Sequence, residues 1–142
     1  MTFTPKTFAI EITVRFAHVD AAGIVFYPRC LEMVNETVER WFEEALGVSF
    51  SELHVVRRHG APTKRVVADF LKPSRLGDRL SFTLRLAKIG RTSFDLDITC
   101  TCGGETRFKA AATLVYAGLE PLAPLPIPDD LRERMTAFAA EA

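Results

Sequence analysis

A chain of 142 residues, 48% of them apolar, has the size of one compact domain with its own core, and a second domain is not expected. Its 18 basic and 18 acidic residues cancel, which excludes a whole-molecule field for nucleic acid or an anionic membrane; an anionic ligand must be met locally. Cys30, Cys100 and Cys102 give neither the even count of a disulfide framework nor the paired spacing of a zinc site, so a reducing cytoplasm and no structural metal are expected.

The segment Met1–Lys6 has no apolar run of signal-peptide length, and nothing later approaches a membrane span, so a soluble cytoplasmic protein is expected. From Phe8 to Phe16 every second residue is apolar (Phe8, Ile10, Ile12, Val14, Phe16), the period of a strand with one buried face. A shaped loop follows at His18-Val19-Asp20-Ala21-Ala22-Gly23, where Gly23 is free to take backbone angles closed to other residues.

After Pro28, the residues Leu31, Val34, Val38, Trp41, Phe42 and Ala45 recur at helical spacing, with Glu32, Glu36, Glu39 and Glu43 largely on other faces. Gly47 stops this one long helix, whose broad apolar stripe requires a large apolar partner such as a curved sheet. Strands are expected over Lys64–Leu71, through Leu80, Phe82, Leu84 and Leu86, and through Phe94, Leu96, Ile98 and Cys100. Gly103-Gly104 marks a hairpin into a last strand from about Thr106 to Tyr116. Pro121, Pro124, Pro126 and Pro128 then suggest an extended stretch without sheet hydrogen bonds, and Asp129-Asp130 opens a short helix through Leu131, Met135 and Phe138 that is expected to pack on the outside. The result is an α+β domain of strand, long helix and four further strands, whose open sheet edges predict a homodimer joined edge to edge.

The stretch Val14–Pro28 carries the chemistry, because it sets Asp20 in a loop directly ahead of a long helix. Unpaired backbone N–H groups at a helix start carry partial positive charge and can hold the oxyanion formed when a thioester carbonyl is attacked. A neighbouring carboxylate can attack that carbonyl or activate water.

Asp20-Ala21-Ala22-Gly23-Ile24-Val25-Phe26-Tyr27-Pro28 resembles the signature of the 4-hydroxybenzoyl-CoA thioesterases: Asp, two small residues, Gly, Ile-Val, an aromatic, Tyr and Pro. The likeness continues through the preceding strand, the long helix, Arg91-Thr92-Ser93-Phe94 and the Ile127-Pro128 approach to the last helix. It implies a hotdog fold, one long helix wrapped by a five-stranded antiparallel sheet, with the active site at a dimer interface and no metal or cofactor. It further implies Asp20 as the catalytic carboxylate, as nucleophile or general base, and the Tyr27 N–H as the group that polarises the thioester carbonyl. Gly23, Lys88, Arg91 and Ser93 fall where relatives meet the acyl-CoA substrate. Val19 and Cys30 depart from the pattern, which has a hydroxyl or thiol residue before the Asp and an aromatic after the Tyr-Pro pair. Tyr27 stands where a related aliphatic-acyl branch typically has His, which favours an aromatic acyl group such as 4-hydroxybenzoyl over a short aliphatic one. Assembly as a dimer of dimers is open.

Each of these residues also has a plainer reading. A lone Asp before a helix is usually a cap or turn former, and the Tyr27 ring is as readily packing as function. His18 reads as structural, and His54 and His59 beside Arg57-Arg58 as a solvated basic patch. Cys30, Cys100 and Cys102 read as core thiols. The alternative functions are an acyl-CoA-binding or scaffold protein of the same fold, which would hold ligand without turnover, and a dehydratase or hydratase, which would need a catalytic His absent near the helix.

Overall fold

The computed structural model describes residues 6–139, so nearly all of the Met1–Lys6 segment lies outside the described residues. In chain order the strands are β1 (Thr7–Thr13), β2 (His59–Gly60), β3 (Thr63–Phe70), β4 (Arg79–Ile89), β5 (Ser93–Cys102), β6 (Glu105–Val115), β7 (Ala117–Leu119) and β8 (Leu122–Pro124). The helices are α1 (Tyr27–Glu44) and α2 (Asp129–Ala139). Five strands form one antiparallel sheet in the order β1-β4-β5-β6-β3, which, with the long α1 and the short α2, is the expected hotdog architecture.

The alternating residues read from β4 and β5 all point inward: Leu80, Phe82, Leu84, Leu86, Phe94, Leu96, Ile98 and Cys100 are buried. Against them lies the stripe of α1, turned slightly from the expected one: Cys30, Met33 and Thr37 join Val34, Val38, Trp41 and Phe42 inside, while Ala45 is exposed. Thr37 tolerates burial because its hydroxyl donates to the Met33 carbonyl at 2.8 Å. The helix ends as its sequence predicts. Gly47 takes a φ of 74°, and the Val48 N–H returns across it to the Phe42 carbonyl at 2.9 Å.

Three expectations are corrected. β1 stops at Thr13, and Phe16 lies in a short 3₁₀ turn (Phe16–His18) with 82% of its surface exposed. The proline-rich stretch does carry sheet hydrogen bonds, since β7 and β8 form a hairpin on β2. Prolines are tolerated there because β8 is the sheet's edge strand, where a missing donor costs no ladder bond. Finally, α2 is not an external appendage. Leu131, Met135 and Phe138 are buried, and Phe138 meets the Trp41 ring edge-on at 5.5 Å.

The helices cover the sheet unevenly, with α1 over β1 and β4 and α2 over β4. β3, at the opposite edge, has exposed apolar residues on both faces, Val66 and Phe70 on one and Val67 on the other. No described helix is long and apolar enough to cross a membrane.

Candidate active site

Beyond β1 the chain leaves the sheet at the buried Val14, loops out, and returns at the buried Val25. Val14 and Val25 are both tied to the β3–β4 connection: the Val14 N–H donates to Asp78 O at 2.8 Å and the Val25 N–H to Ser74 O at 2.9 Å. Between them, Val19 bridges Val25, the Phe26 N–H donates to His18 O at 2.9 Å, and the Asp20 N–H donates to Ile24 O at 3.0 Å. This narrow hairpin carries Asp20 and Gly23 at its tip. Gly23 has φ +80° with open space where a Cβ would stand, so conformation, not crowding, is what calls for glycine.

Asp20 is exposed, and one of its carboxylate oxygens accepts the Ala22 N–H at 2.8 Å. That bond is the turn-forming role the plain reading assigns to an Asp, and it also holds the carboxylate in place with its second oxygen free of donors among the described residues. His18 keeps its structural reading, since Nδ1 accepts the Arg15 N–H at 2.8 Å and caps the 3₁₀ turn.

Two residues after Val25, Tyr27 is the first residue of α1, with Phe26 as an extended N-cap that supplies no side-chain cap. Pro28 follows in the first turn, where its missing N–H costs nothing. The Tyr27 N–H therefore has no acceptor among the described residues and points out at the positive end of the helix dipole. The Tyr27 ring stands 60% exposed, edge-on to Phe26 at 5.6 Å and to Phe70 at 6.2 Å. Phe70 in turn meets Phe108, which meets Phe82, each at 5.7 Å, so a ladder of rings descends from the helix start into the core.

Beside this ladder opens a cleft of about 380 Å³ lined by Ile24, Tyr27, Cys30, Phe70, Pro73 and Phe108, within the usual size range of small-ligand sites. It is apolar and aromatic, and the Tyr27 N–H and the Asp20 hairpin lie at its rim. Cys30 is no nucleophile here, because burial pushes its thiol up to about 11. Burial likewise pushes Cys100 up to about 12, while Cys102 is half-buried near the β5–β6 turn. No group of three or more His, Cys, Asp or Glu with metal-binding geometry occurs among the described residues.

Lys88, Arg91 and Ser93 are not brought to Asp20 within one protomer. They surround the β4–β5 turn, where the Gly90 N–H donates to Ser93 O at 2.7 Å, and the Asp20 hairpin hangs from the opposite end of β4. The 11 residues of β4 put these ends about 30 Å apart. Lys88 and Arg91 are exposed at that far end.

A second cleft of about 290 Å³ lies at the Thr63 end of β3, lined by Asn35, Phe50, His54, Thr63, Leu119 and Leu122. The expected solvated basic patch beside it is instead a set of ties. His54 Nδ1 donates to Phe50 O at 2.9 Å, His59 Nδ1 pairs with the Tyr116 hydroxyl at 2.7 Å, Arg57 grips Asp130 at 2.8 Å, and Arg58 pairs with Glu120. Sequence reasoning also missed the cleft wall at Phe70, Pro73 and Phe108. An apolar strand end running into Leu71-Lys72-Pro73 hints at it, but period alone does not distinguish an exposed ring from a core one.

Residues 14–135 match the family model described as the thioesterase-like superfamily. A 1,4-dihydroxy-2-naphthoyl-CoA hydrolase of Thermosynechococcus vestitus is 30% identical over 131 residues, 92% of this chain and 89% of that protein. The solved structure of a gentisyl-coenzyme A thioesterase superposes with TM-score 0.81 at 27% identity, covering 88% of this chain and 99% of the other. A 4-hydroxybenzoyl-CoA thioesterase mutant complexed with 4-hydroxybenzoyl-CoA shares the fold with TM-score 0.84 at 22% identity, over 92% of this chain and 99% of that one.

Proposed function

The chain belongs to the thioesterase-like superfamily and is an acyl-CoA thioester hydrolase, and from that premise we propose that its substrate carries a hydroxylated aromatic acyl group. The observation that carries this reading is the ring-lined cleft, which opens at the helix start with its unpaired N–H and is walled by Ile24 and Val25 of the hairpin that holds the Asp20 carboxylate. An aryl group stacks favourably among Tyr27, Phe70 and Phe108. The relatives' names point the same way: 1,4-dihydroxy-2-naphthoyl-CoA, gentisyl-CoA and 4-hydroxybenzoyl-CoA are all hydroxyaryl thioesters.

In the mechanism we favour, the Tyr27 N–H donates to the thioester carbonyl, and the α1 dipole stabilises the negative charge that grows there. Asp20 either attacks the carbonyl carbon, expelling CoA thiolate and leaving a mixed anhydride that water cleaves, or takes the proton from a water that attacks directly. Both routes give free acid and CoA with no cofactor. Label from H₂¹⁸O found in the Asp20 carboxylate after a single turnover marks the anhydride route, with water entering at the Asp20 carbonyl.

The same reading requires a homodimer. If β3 pairs antiparallel with its copy, its Thr63 end lies beside the Phe70 end of the other protomer, and the two kinds of cleft adjoin. Lys88, Arg91 and Ser93 of the partner subunit then flank the Tyr27 cleft from across the interface, where they would meet the CoA phosphates and pantetheine. A cytoplasmic site of action accords with three unpaired thiols.

The test is thiol release from 1,4-dihydroxy-2-naphthoyl-CoA, gentisyl-CoA, 4-hydroxybenzoyl-CoA and a short aliphatic acyl-CoA, with wild type and Asp20→Asn side by side. Turnover of the hydroxyaryl esters that falls at least ~1,000-fold in Asp20→Asn, with the fold intact, is expected. Binding of these esters without turnover by the wild type would move the assignment to an acyl-CoA-binding protein.

A further inference from the structure

Arg107, on β6, is a half-buried cation whose side-chain hydrogen bonds all go to the β3–β4 connection. Its side chain is 15% exposed, and Nη1 lies 2.9 Å from Pro73 O, 3.2 Å from Ser74 Oγ and 2.9 Å from Asp78 Oδ2. Nε makes a close charge contact with Glu105 at 3.0 Å, outside hydrogen-bond alignment. The backbone of Arg107 acts on the same segment, its carbonyl accepting the N–H groups of Leu71 and Lys72 at 2.9 and 3.0 Å. One residue thus holds the β3–β4 connection from Leu71 to Asp78.

That connection is also what the Asp20 loop hangs from. Asp78 O accepts the Val14 N–H, Gly77 donates back to Val14 O at 2.9 Å, and Ser74 O accepts the Val25 N–H. Ile24 and Arg75 add a bridge. Asp78 is itself oriented by the Arg75 N–H at 2.9 Å, so its carboxylate joins the turn to Arg107. Ser74 is buried and meets the loop through its carbonyl at Val25, while the hydrogen bonds of the Arg107 side chain go to Pro73, Ser74 and Asp78 and none to the Asp20 hairpin.

We infer that Arg107 is a positioning residue for thioester hydrolysis: by clamping Pro73, Ser74 and Asp78 it fixes Val14 and Val25, and so the placement of the Asp20 carboxylate against the Tyr27 N–H. The inference rests on the proposed roles of Asp20 and Tyr27. It differs from a general packing role because the clamp bears on the two ends of one loop and on a cleft wall, while the buried residues of β4 and β5 are held by their own packing.

The experiment compares wild type, Arg107→Gln, Arg107→Lys and Asp78→Asn. It measures kcat and KM on a hydroxyaryl-CoA that the wild type turns over, and amide hydrogen exchange at Val14, Val25 and the core strand residue Leu84. A small misplacement of reacting groups is enough for a ~10–100-fold loss, so kcat should fall that far in Arg107→Gln while KM moves less than about threefold. The Val14 and Val25 amides should exchange faster with Leu84 unchanged, and Arg107→Lys, which keeps the charge, should recover part of both. A folded Arg107→Gln with kcat within twofold of wild type overturns the inference, as does unchanged exchange at Val14 and Val25. If Arg107→Gln fails to fold, Arg107→Lys and Asp78→Asn decide on the same criteria. Asp20→Asn at full activity would instead sink the proposed function, so the two failures are distinguishable.

Discussion

The sheet has two edges, and they are finished differently. At β1, Ile10 is buried, Phe8 and Ile12 pack against the core, and Ala9 and Glu11 face out, under the cover of α1. At β3 only Ala68 is partly buried, and Val66, Val67 and Phe70 are each between 44% and 50% exposed. An edge strand bearing bare apolar residues on both faces is what natural proteins avoid unless something pairs with it. The difference separates two strands that look alike in the sequence: β1 closes the protomer's own core, and β3 is the edge across which the proposed dimer would pair.

The sharpest way to break this contrast is a charge at each edge. Val66→Glu should split the proposed dimer in sedimentation velocity and lower turnover ~100-fold, because each cleft then lacks its neighbour, while the protomer stays folded. Ala9→Glu on β1 should change neither assembly nor rate. A Val66→Glu protein that remains dimeric and active would remove β3 from the interface. Next in size, Lys88→Ala and Arg91→Ala should raise KM for the CoA ester roughly tenfold with little change in kcat, and should leave the pantetheine thioester unaffected. Mixing Asp20→Asn with Lys88→Ala/Arg91→Ala protomers should restore one site per mixed dimer that both turns over and has the wild-type KM if the phosphate contacts come from the partner subunit, whereas same-subunit contacts leave turnover only at the raised KM.

The smallest effect concerns the cover over the β1 side, where Arg57 ties α2 through Asp130. The side chains are 24% and 43% exposed, so solvent screening limits Arg57→Ala to about 0.5–1 kcal/mol in denaturant unfolding at neutral pH. The hydrogen bond from Arg57 holds the Asp130 carboxyl below its ordinary value. A carboxyl depressed by folding stabilises the native state above its unfolded value of about 3.9, and the contribution disappears as pH falls through the lower folded value. The wild-type advantage over Arg57→Ala should therefore be full at pH 6–7 and shrink below about pH 4.

Much of this plan was legible before any coordinates. β1, α1, β4 and β5 announce themselves because each has a single buried face and hence a clean period of two or of about three and a half. The Asp20–Pro28 motif was legible because its spacing packs a turn, a helix start and a carboxylate into nine residues. β2, β7 and β8 were not, since strands of two or three residues have no period and their prolines read as breaks. Burial of α2 was missed because Leu131, Met135 and Phe138 make too narrow a stripe to show whether it faces inward. Arg107 left no local signal at all: its side-chain partners Pro73, Ser74 and Asp78 are 34, 33 and 29 residues away, and only the fold brings them together.

The burial of the cysteines has a practical consequence. Hydrolysis of an acyl-CoA liberates a thiol, and the simplest assay titrates it with an aromatic disulfide reagent that any protein thiolate would also consume. With Cys30 and Cys100 enclosed and protonated throughout the neutral range, only the half-buried Cys102 can contribute, so the protein's own background is bounded at one equivalent per chain. The colour that continues to develop beyond that first equivalent belongs to coenzyme A, and the native chain can be assayed without replacing a single sulfur.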